Sequence, residues 1–174
     1  KRYPFPNKKI YIKKNFGIYK SINYGIKKAK GKYIMILNSD DILYSERTIS
    51  DLMKKIIIYK NTEIFLGNVA YFNEFNYDYI KRYYSSKNFK LWHMKFGLMP
   101  PHPSSIISKK AYDENGLYNE NFKIAGDFDI FLRFLVLKKL NFKILNMDVV
   151  RMRTGGVSGK NLFNAPAISS KTSS

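Results

Sequence analysis

The sequence predicts an α/β domain, and three observations carry that reading. Residues 33–37, Tyr-Ile-Met-Ile-Leu, are apolar without a polar break, the pattern of a short strand covered on both faces as in a parallel sheet. A helical pattern feeds directly into it. Ile18, Ile22, Ile26 and Ala29 recur on one face, lysines lie off that face, and Gly31 provides the stop. Helix followed at once by buried strand is an αβ unit. Further strand-like runs at 63–72, 104–108 and 142–153 are interleaved with helical segments.

The strand at 33–37 ends in Asn38-Ser39-Asp40-Asp41. Open α/β sheets bind ligands beyond the C-terminal ends of their strands. Paired carboxylates there suit Mg²⁺ or Mn²⁺, which in such sites usually also holds substrate phosphates. The same residues also suit a turn or the cap of the next helix. Spacing alone leaves both readings open.

The remaining elements follow in order. Residues 1–16 are polar and basic, with a short strand at Tyr11–Ile12. Ser45 is the expected N-cap of a helix through Tyr59, with Leu52, Met53, Ile56 and Ile57 as its buried face. The strand at 63–72 has an antiparallel neighbour at 77–84. A short helix at 87–96 carries Trp92. Pro100, Pro101 and Pro103 exclude regular structure around His102. A loop this apolar is expected to lie packed over something. A strand at 104–108 and a short helix at 109–115, closed by Gly116, come next. Gly126-Asp127-Phe128-Asp129 opens a helix that is apolar nearly all round from 130 to 139. Residues 142–153 read as a strand pair or one long strand, followed by a flexible turn at 154–158. One domain therefore covers 1–158, and the Ser-rich tail 159–174 is expected to be disordered.

Composition bounds the function. A chain of 174 residues suits one domain with a real core. The absence of cysteine excludes disulfides and thiolate zinc sites. No run reaches the length of a membrane span and no secretory leader is visible, so the expected location is cytoplasmic. The net charge of +18 favours nucleic acid, anionic lipid or phosphorylated substrates. Yet lysine is scattered through every segment, and Ile, Asn and Tyr are also abundant, as an AT-rich genome would write on any solvated surface. The best nucleic-acid cluster, Lys81-Arg82-Tyr83-Tyr84, is small, and no specific nucleic-acid partner is expected.

Three features then line up: the acidic pair at 40–41, the Pro-His loop at 100–103, and Gly126-Asp127 opening a buried helix. With Gly17-Ile18-Tyr19, Asn23, Gly25, Ala29 and Gly31 before them, the ordered set resembles the family-two glycosyltransferases. Further matches are Met99-Pro100 with His102 and Ser104, Gly116-Leu117-Tyr118-Asn119-Glu120, Arg133, and Gly155-Gly156-Val157-Ser158. The nearest likeness is to transferases that build bacterial surface polysaccharides and lipooligosaccharides, over residues 10–160. The resemblance implies a GT-A fold, a mixed sheet with helices on both faces. It implies inverting transfer from a nucleotide-diphosphate-sugar donor to a saccharide or lipid-linked acceptor, with Mg²⁺ or Mn²⁺. Asp41 matches the metal-binding carboxylate, with Asp40 beside it. Asp127 matches the general base, and Asp129 is not expected to replace it. Asn23, Asn38, His102 and Ser158 fall at positions for donor or acceptor binding. A lipid-linked acceptor and the excess of lysine together allow peripheral contact with the inner face of an anionic membrane.

The departures are specific. The family opens with an apolar strand and an acidic Asp-Gly-Ser-type turn that cradle the nucleotide, and this sequence begins after both; Lys20 replaces a typical Asp. The chain thus resembles a member lacking its N-terminal nucleotide-binding part. An inactive remnant of the same fold is the alternative to an active transferase.

Overall fold

In a computed structural model, residues 9–12, 14, 16–73 and 76–153 are described. The expected turn at 154–158, with Ser158, and the tail 159–174 lie outside them. Among the described residues four α-helices and six strands set the architecture. The helices are α1 (Ile18–Lys28), α2 (Thr48–Ile58), α3 (Lys109–Asn115) and α4 (Gly126–Phe131). The strands are β1 (Tyr33–Met35), β2 (Ile42–Leu43), β3 (Ile64–Asn73), β4 (Asn76–Tyr84), β5 (Ser105–Ser108) and β6 (Phe142–Arg153). All six join one mixed sheet in the order β1-β5-β3-β6-β2, with β4 also on β3. The β3–β6 ladder is parallel; the others are antiparallel.

Two apolar cores hold helices to opposite faces of this sheet. Ile64, Leu66 and Ile107 meet Ile26 of α1, Ala111 and Tyr112 of α3, and Ile130 and Phe131 of α4. On the other face Phe65, Ile106 and Leu145 meet Leu52 and Ile56 of α2. Alternation along β3 and β5 thus supplies both cores from the same strands.

Several elements depart from the sequence pattern. β1 is three residues long and pairs antiparallel with β5, not within a parallel sheet. Its neighbours do divide between two faces, with Ile34 and Ile36 on the first core and Tyr33 and Met35 on the second. Burial on both faces follows from side-chain alternation whichever way the neighbour runs, so an apolar run cannot fix strand direction. Ile18, Met53 and Ile57 are exposed, because α1 and α2 each rest on the sheet along a narrower stripe than their apolar residues offer. α2 begins at Thr48, whose Oγ1 accepts from the Ser45 N–H at 2.8 Å; the Ser45 side chain is not the cap. The helix at 126–137 changes from α to π turns after Phe131, and 91–96 is a 3₁₀ turn. Residues 142–153 form one strand.

Gly67 locks the middle of β3. Its carbonyl accepts from the Ser86 hydroxyl at 2.6 Å and the Ser104 hydroxyl at 2.9 Å. A Cβ there would overlap Val149 Cγ2 and lie 3.0 Å from the Ser104 carbonyl. Gly67→Ala is expected to destabilise by about 1–3 kcal/mol or more, the usual cost of overpacking. Thermal unfolding would read this as a fall of roughly 2–4 °C per kcal/mol; an unchanged midpoint would contradict this close packing.

Candidate active site

After β1 the chain turns through Asn38–Asp41. The Asp41 amide donates to the Asn38 carbonyl at 3.2 Å, and Asn38 Nδ2 donates to Asp41 Oδ2 at 2.9 Å. Asp41 is only 6% exposed, and its Oδ1 is buried without a hydrogen-bond partner. Burial pushes the Asp41 carboxyl above the usual carboxylate range, the Asn38 amide opposes this, and the charge on Asp40 adds to it. Leaving a buried carboxylate oxygen unpaired is costly. Asp40 beside it is exposed.

Among the described residues no group of three or more His, Cys, Asp or Glu could hold a metal ion by itself. The donor set still fits Mg²⁺ or Mn²⁺. These ions are commonly held by one or two carboxylates, with substrate phosphates completing the shell. An orphaned buried oxygen on Asp41, with the Asp40 carboxylate adjacent, is that kind of half-site.

Because β1 runs antiparallel to β5, with Met35 opposite Ile106, the C-terminal end of β1 lies beside the N-terminal end of β5. The 3₁₀ turn His102–Ser104 leads into β5 there. Pro100 and Pro101 are buried, as the apolar loop required, and the Pro101 carbonyl accepts from the hydroxyls of Ser104 at 3.1 Å and Ser105 at 2.9 Å. His102 Nε2 meets the Tyr118 hydroxyl at 2.6 Å. Burial pushes His102 below the ordinary histidine value, against the pull of the Asp127 charge, so it is neutral at pH 7.

Asp127 lies in the first turn of α4. The N-cap position is Ala125, in the left-handed region at φ 68°, so Asp127 is not itself the cap. Asp127 Oδ1 accepts from the Phe128 N–H at 3.0 Å. Tyr19 holds the turn from the far end of the sequence. Its hydroxyl accepts from the Gly126 N–H at 2.8 Å, and a Cβ on Gly126 would stand 2.6–2.8 Å from its ring. The Tyr19 ring stacks on Tyr118 with centroids 5.7 Å apart and planes 8° apart. The Tyr118 hydroxyl also lies 3.3 Å from that of Tyr112. Burial raises the Tyr118 phenol well above its ordinary value and that of Tyr112 to about 12. Asp127 therefore sits over a buried tier of neutral aromatics ending in His102.

The other candidates are placed as follows. Asn38 is joined to Asp41. Asn23 is 3% exposed and holds the 118–120 segment: its Oδ1 accepts from the Tyr118 N–H at 3.0 Å, and its Nδ2 donates to the Tyr118 carbonyl at 2.8 Å and to Glu120 at 3.0 Å. Asp129 pairs with Arg133 at 3.0 Å, and that guanidinium also donates to the carbonyls of Asn115 and Leu117. Sequence alone gives Tyr19, Tyr112 and Tyr118 no role, although Tyr19 and Tyr118 stand inside the matching motifs. The basic-aromatic cluster on β4 is partly committed: Arg82 covers the Tyr71 ring at 4.0 Å, and the Tyr84 hydroxyl donates to the Met99 carbonyl.

Comparison with known proteins adds to this geometry. The pattern of the family described as Glycosyl transferase family 2 matches residues 1–116. An uncharacterized glycosyltransferase of Rickettsia typhi is 30% identical over 141 residues, covering 76% of this chain and 43% of that protein. One from Methanocaldococcus jannaschii is 32% identical over 159 residues, covering 80% and 52%. The minor teichoic acid biosynthesis protein GgaB of Bacillus subtilis is 28% identical over 127 residues, covering 71% and 14%. The chain thus spans about half or less of these relatives' lengths. The crystal structure of S. aureus TarS 1–349 in complex with UDP-GlcNAc superposes with a TM-score of 0.57 at 16% identity, over 81% of this chain and 40% of that one. The mixed sheet with helices on both faces is the GT-A fold shared with that neighbour, and the chain belongs to glycosyl transferase family 2.

Proposed function

We propose that this chain carries the metal-binding and proton-accepting part of an inverting glycosyltransferase. It would move a sugar from a nucleotide diphosphate to a hydroxyl of a saccharide or lipid-linked acceptor. The observation that carries this is the buried, unpaired oxygen of Asp41 beside Asp40 at the end of β1. When bound there, Mg²⁺ or Mn²⁺ supplies positive charge to the leaving diphosphate.

The chain's own residues do the rest. Asp127 accepts the proton of the acceptor hydroxyl as that oxygen attacks the anomeric carbon. The Tyr19–Gly126 contact fixes the turn that presents it. Neutral His102 and the Tyr118 hydroxyl border the acceptor side without adding a competing charge. Asp129 cannot stand in for Asp127, since it is held by Arg133.

The UDP-GlcNAc complex of TarS supports a UDP-sugar as donor, and the name of GgaB supports an envelope polymer as acceptor. Among the described residues no helix is long and apolar enough to cross a membrane. The net charge of +18 favours peripheral contact with an anionic membrane carrying a lipid-linked acceptor. The test is consumption of UDP-sugars with Mn²⁺ and with EDTA, any chain that precedes Lys1 in its gene being included. Mn²⁺-dependent transfer that EDTA abolishes is expected. Failure to consume any donor would favour the inactive remnant, and transfer indifferent to EDTA would remove the metal.

A further inference from the structure

We propose that the 3₁₀ turn Leu91–Phe96 and the end of the π turn it packs on form a face that binds anionic membrane. This deepens the peripheral-contact reading above and rests on it, and it uses side chains other than those of Asp41 and Asp127. Leu91, Trp92, Phe96 and Leu98 are 41%, 54%, 73% and 59% exposed. They are not loosely held. Met94, in the same turn, is 3% exposed and belongs to the main core, with Phe89 just before it. Phe89 also meets Phe142 edge-on at 6.0 Å. The Trp92 ring meets Phe96 edge-on at 5.9 Å. An anchored turn therefore holds an aromatic wedge outward.

Charge selects the partner. Lys87, Lys90 and Lys95 flank the wedge and are exposed. The turn packs against residues 132–137, which end in exposed Leu137 and are followed by exposed Lys138 and Lys139. No acidic residue occurs between Asp78 and Asp113 or between Asp129 and Asp148, so both segments are purely cationic. Lys87, Asn88, Lys90 and His93 also line an open cleft beside Trp92, suited to a lipid headgroup. Aromatic and leucine side chains ringed by lysine are the composition of an interfacial anchor. The apolar groups enter the acyl boundary and the ammonium groups meet anionic headgroups. The exposed α2 residues Ile49, Met53 and Ile57 lack this arrangement: they bring no aromatic ring, and Asp51 pairs with Lys54 beside them at 2.9 Å. Leucines in a nucleic-acid face would have nothing to stack on, whereas a bilayer accepts them.

Trp92 is the only tryptophan in the chain, so its emission reports directly on this face. With vesicles of phosphatidylcholine and phosphatidylglycerol in equal parts, a blue shift of emission and co-sedimentation are expected; with phosphatidylcholine alone both should be much weaker. The double variant Phe96→Ser, Leu98→Ser should weaken binding by roughly tenfold or more. Neutralising Lys90 and Lys95 to Gln should weaken it by about fivefold per lysine, on anionic vesicles only. Ile57→Ser, on the other face of the sheet, should leave binding unchanged, and circular dichroism should be the same for all variants. The proposal fails if anionic vesicles produce neither shift nor co-sedimentation. It also fails if the Phe96/Leu98 variant binds as well as the parent, if the emission shifts only with an oligonucleotide, or if the face instead holds two copies together and the variant merely separates them. None of these readouts needs donor or turnover, so an inactive chain that binds vesicles refutes the transferase reading alone.

Discussion

Replacing Asp127 with Asn is expected to lower sugar transfer by roughly 10²–10⁴-fold, with donor affinity little changed. The substitution keeps size and polarity, and the Phe128 N–H can still donate to the remaining amide oxygen. The Tyr19–Gly126 contact and the stacked tyrosines do not involve the Asp127 side chain. What disappears is the site that takes the proton. The loss should therefore fall on turnover, measured in steady-state kinetics with donor and acceptor varied separately. Equal turnover in the variant would remove Asp127 from the mechanism. A rise in donor KM alone would make it a binding residue.

Asp41→Asn should have two opposite effects. Metal-dependent transfer is expected to fall on the order of 10²-fold or more, because a neutral amide is a poor ligand for a hard cation and charge stabilisation of the leaving group is lost. Without metal, the same variant should unfold at a higher temperature than the parent. The fold buries this carboxylate with one oxygen unpaired and a second acid alongside, and removing its charge relieves both penalties. Added Mn²⁺ should raise the midpoint of the parent and leave that of Asp41→Asn unmoved. A variant less stable than the parent without metal would mean that Asp41 is a structural cap. A midpoint rise with Mn²⁺ in the variant would place the ion elsewhere.

The order of elements was legible in the sequence because each leaves a local trace: the apolar period of α1, the strand-like run of β3, the prolines before β5, the glycine after α3. Pairing was not legible. The run at 33–37 looks the same beside a parallel or an antiparallel neighbour, and β5, seventy-odd residues on, decides it. Apolar period also overstated burial, since Ile18, Met53 and Ile57 extend stripes wider than the sheet beneath them. At the candidate site, position at a strand end singled out Asp40 and Asp41, whereas Asp127 at the start of its helix was singled out by the family resemblance. The support around Asp127 could not be seen in the same way. Tyr19 reaches Gly126 across 107 residues, and a tyrosine on a helix pattern gives no sign of the backbone its hydroxyl will cap. Asn23 was singled out by the family resemblance, and only the folded chain shows its amide engaged by the backbone of Tyr118.

β3 also dictates when this protein can finish folding. Residues 64–70 are buried without interruption, and a three-pair ladder to β5 and a longer one to β6 join them to strands far along the chain. The start of the β6 ladder is bracketed by Glu63 and Asn141, 78 residues apart. During synthesis β3 therefore leaves the ribosome well before either partner exists, as an apolar, β-prone segment with only α1 and α2 of its covering helices already made. Contacts so distant along the chain make for slow closure, and the waiting strand is where misassembly would begin. The lysines at 54, 55 and 60 just ahead of it, together with those that follow from 81 onward, stand where gatekeeper charges stand beside an unavoidable hydrophobic strand. Part of the basic character of this sequence thus flanks a strand that must wait for its partners.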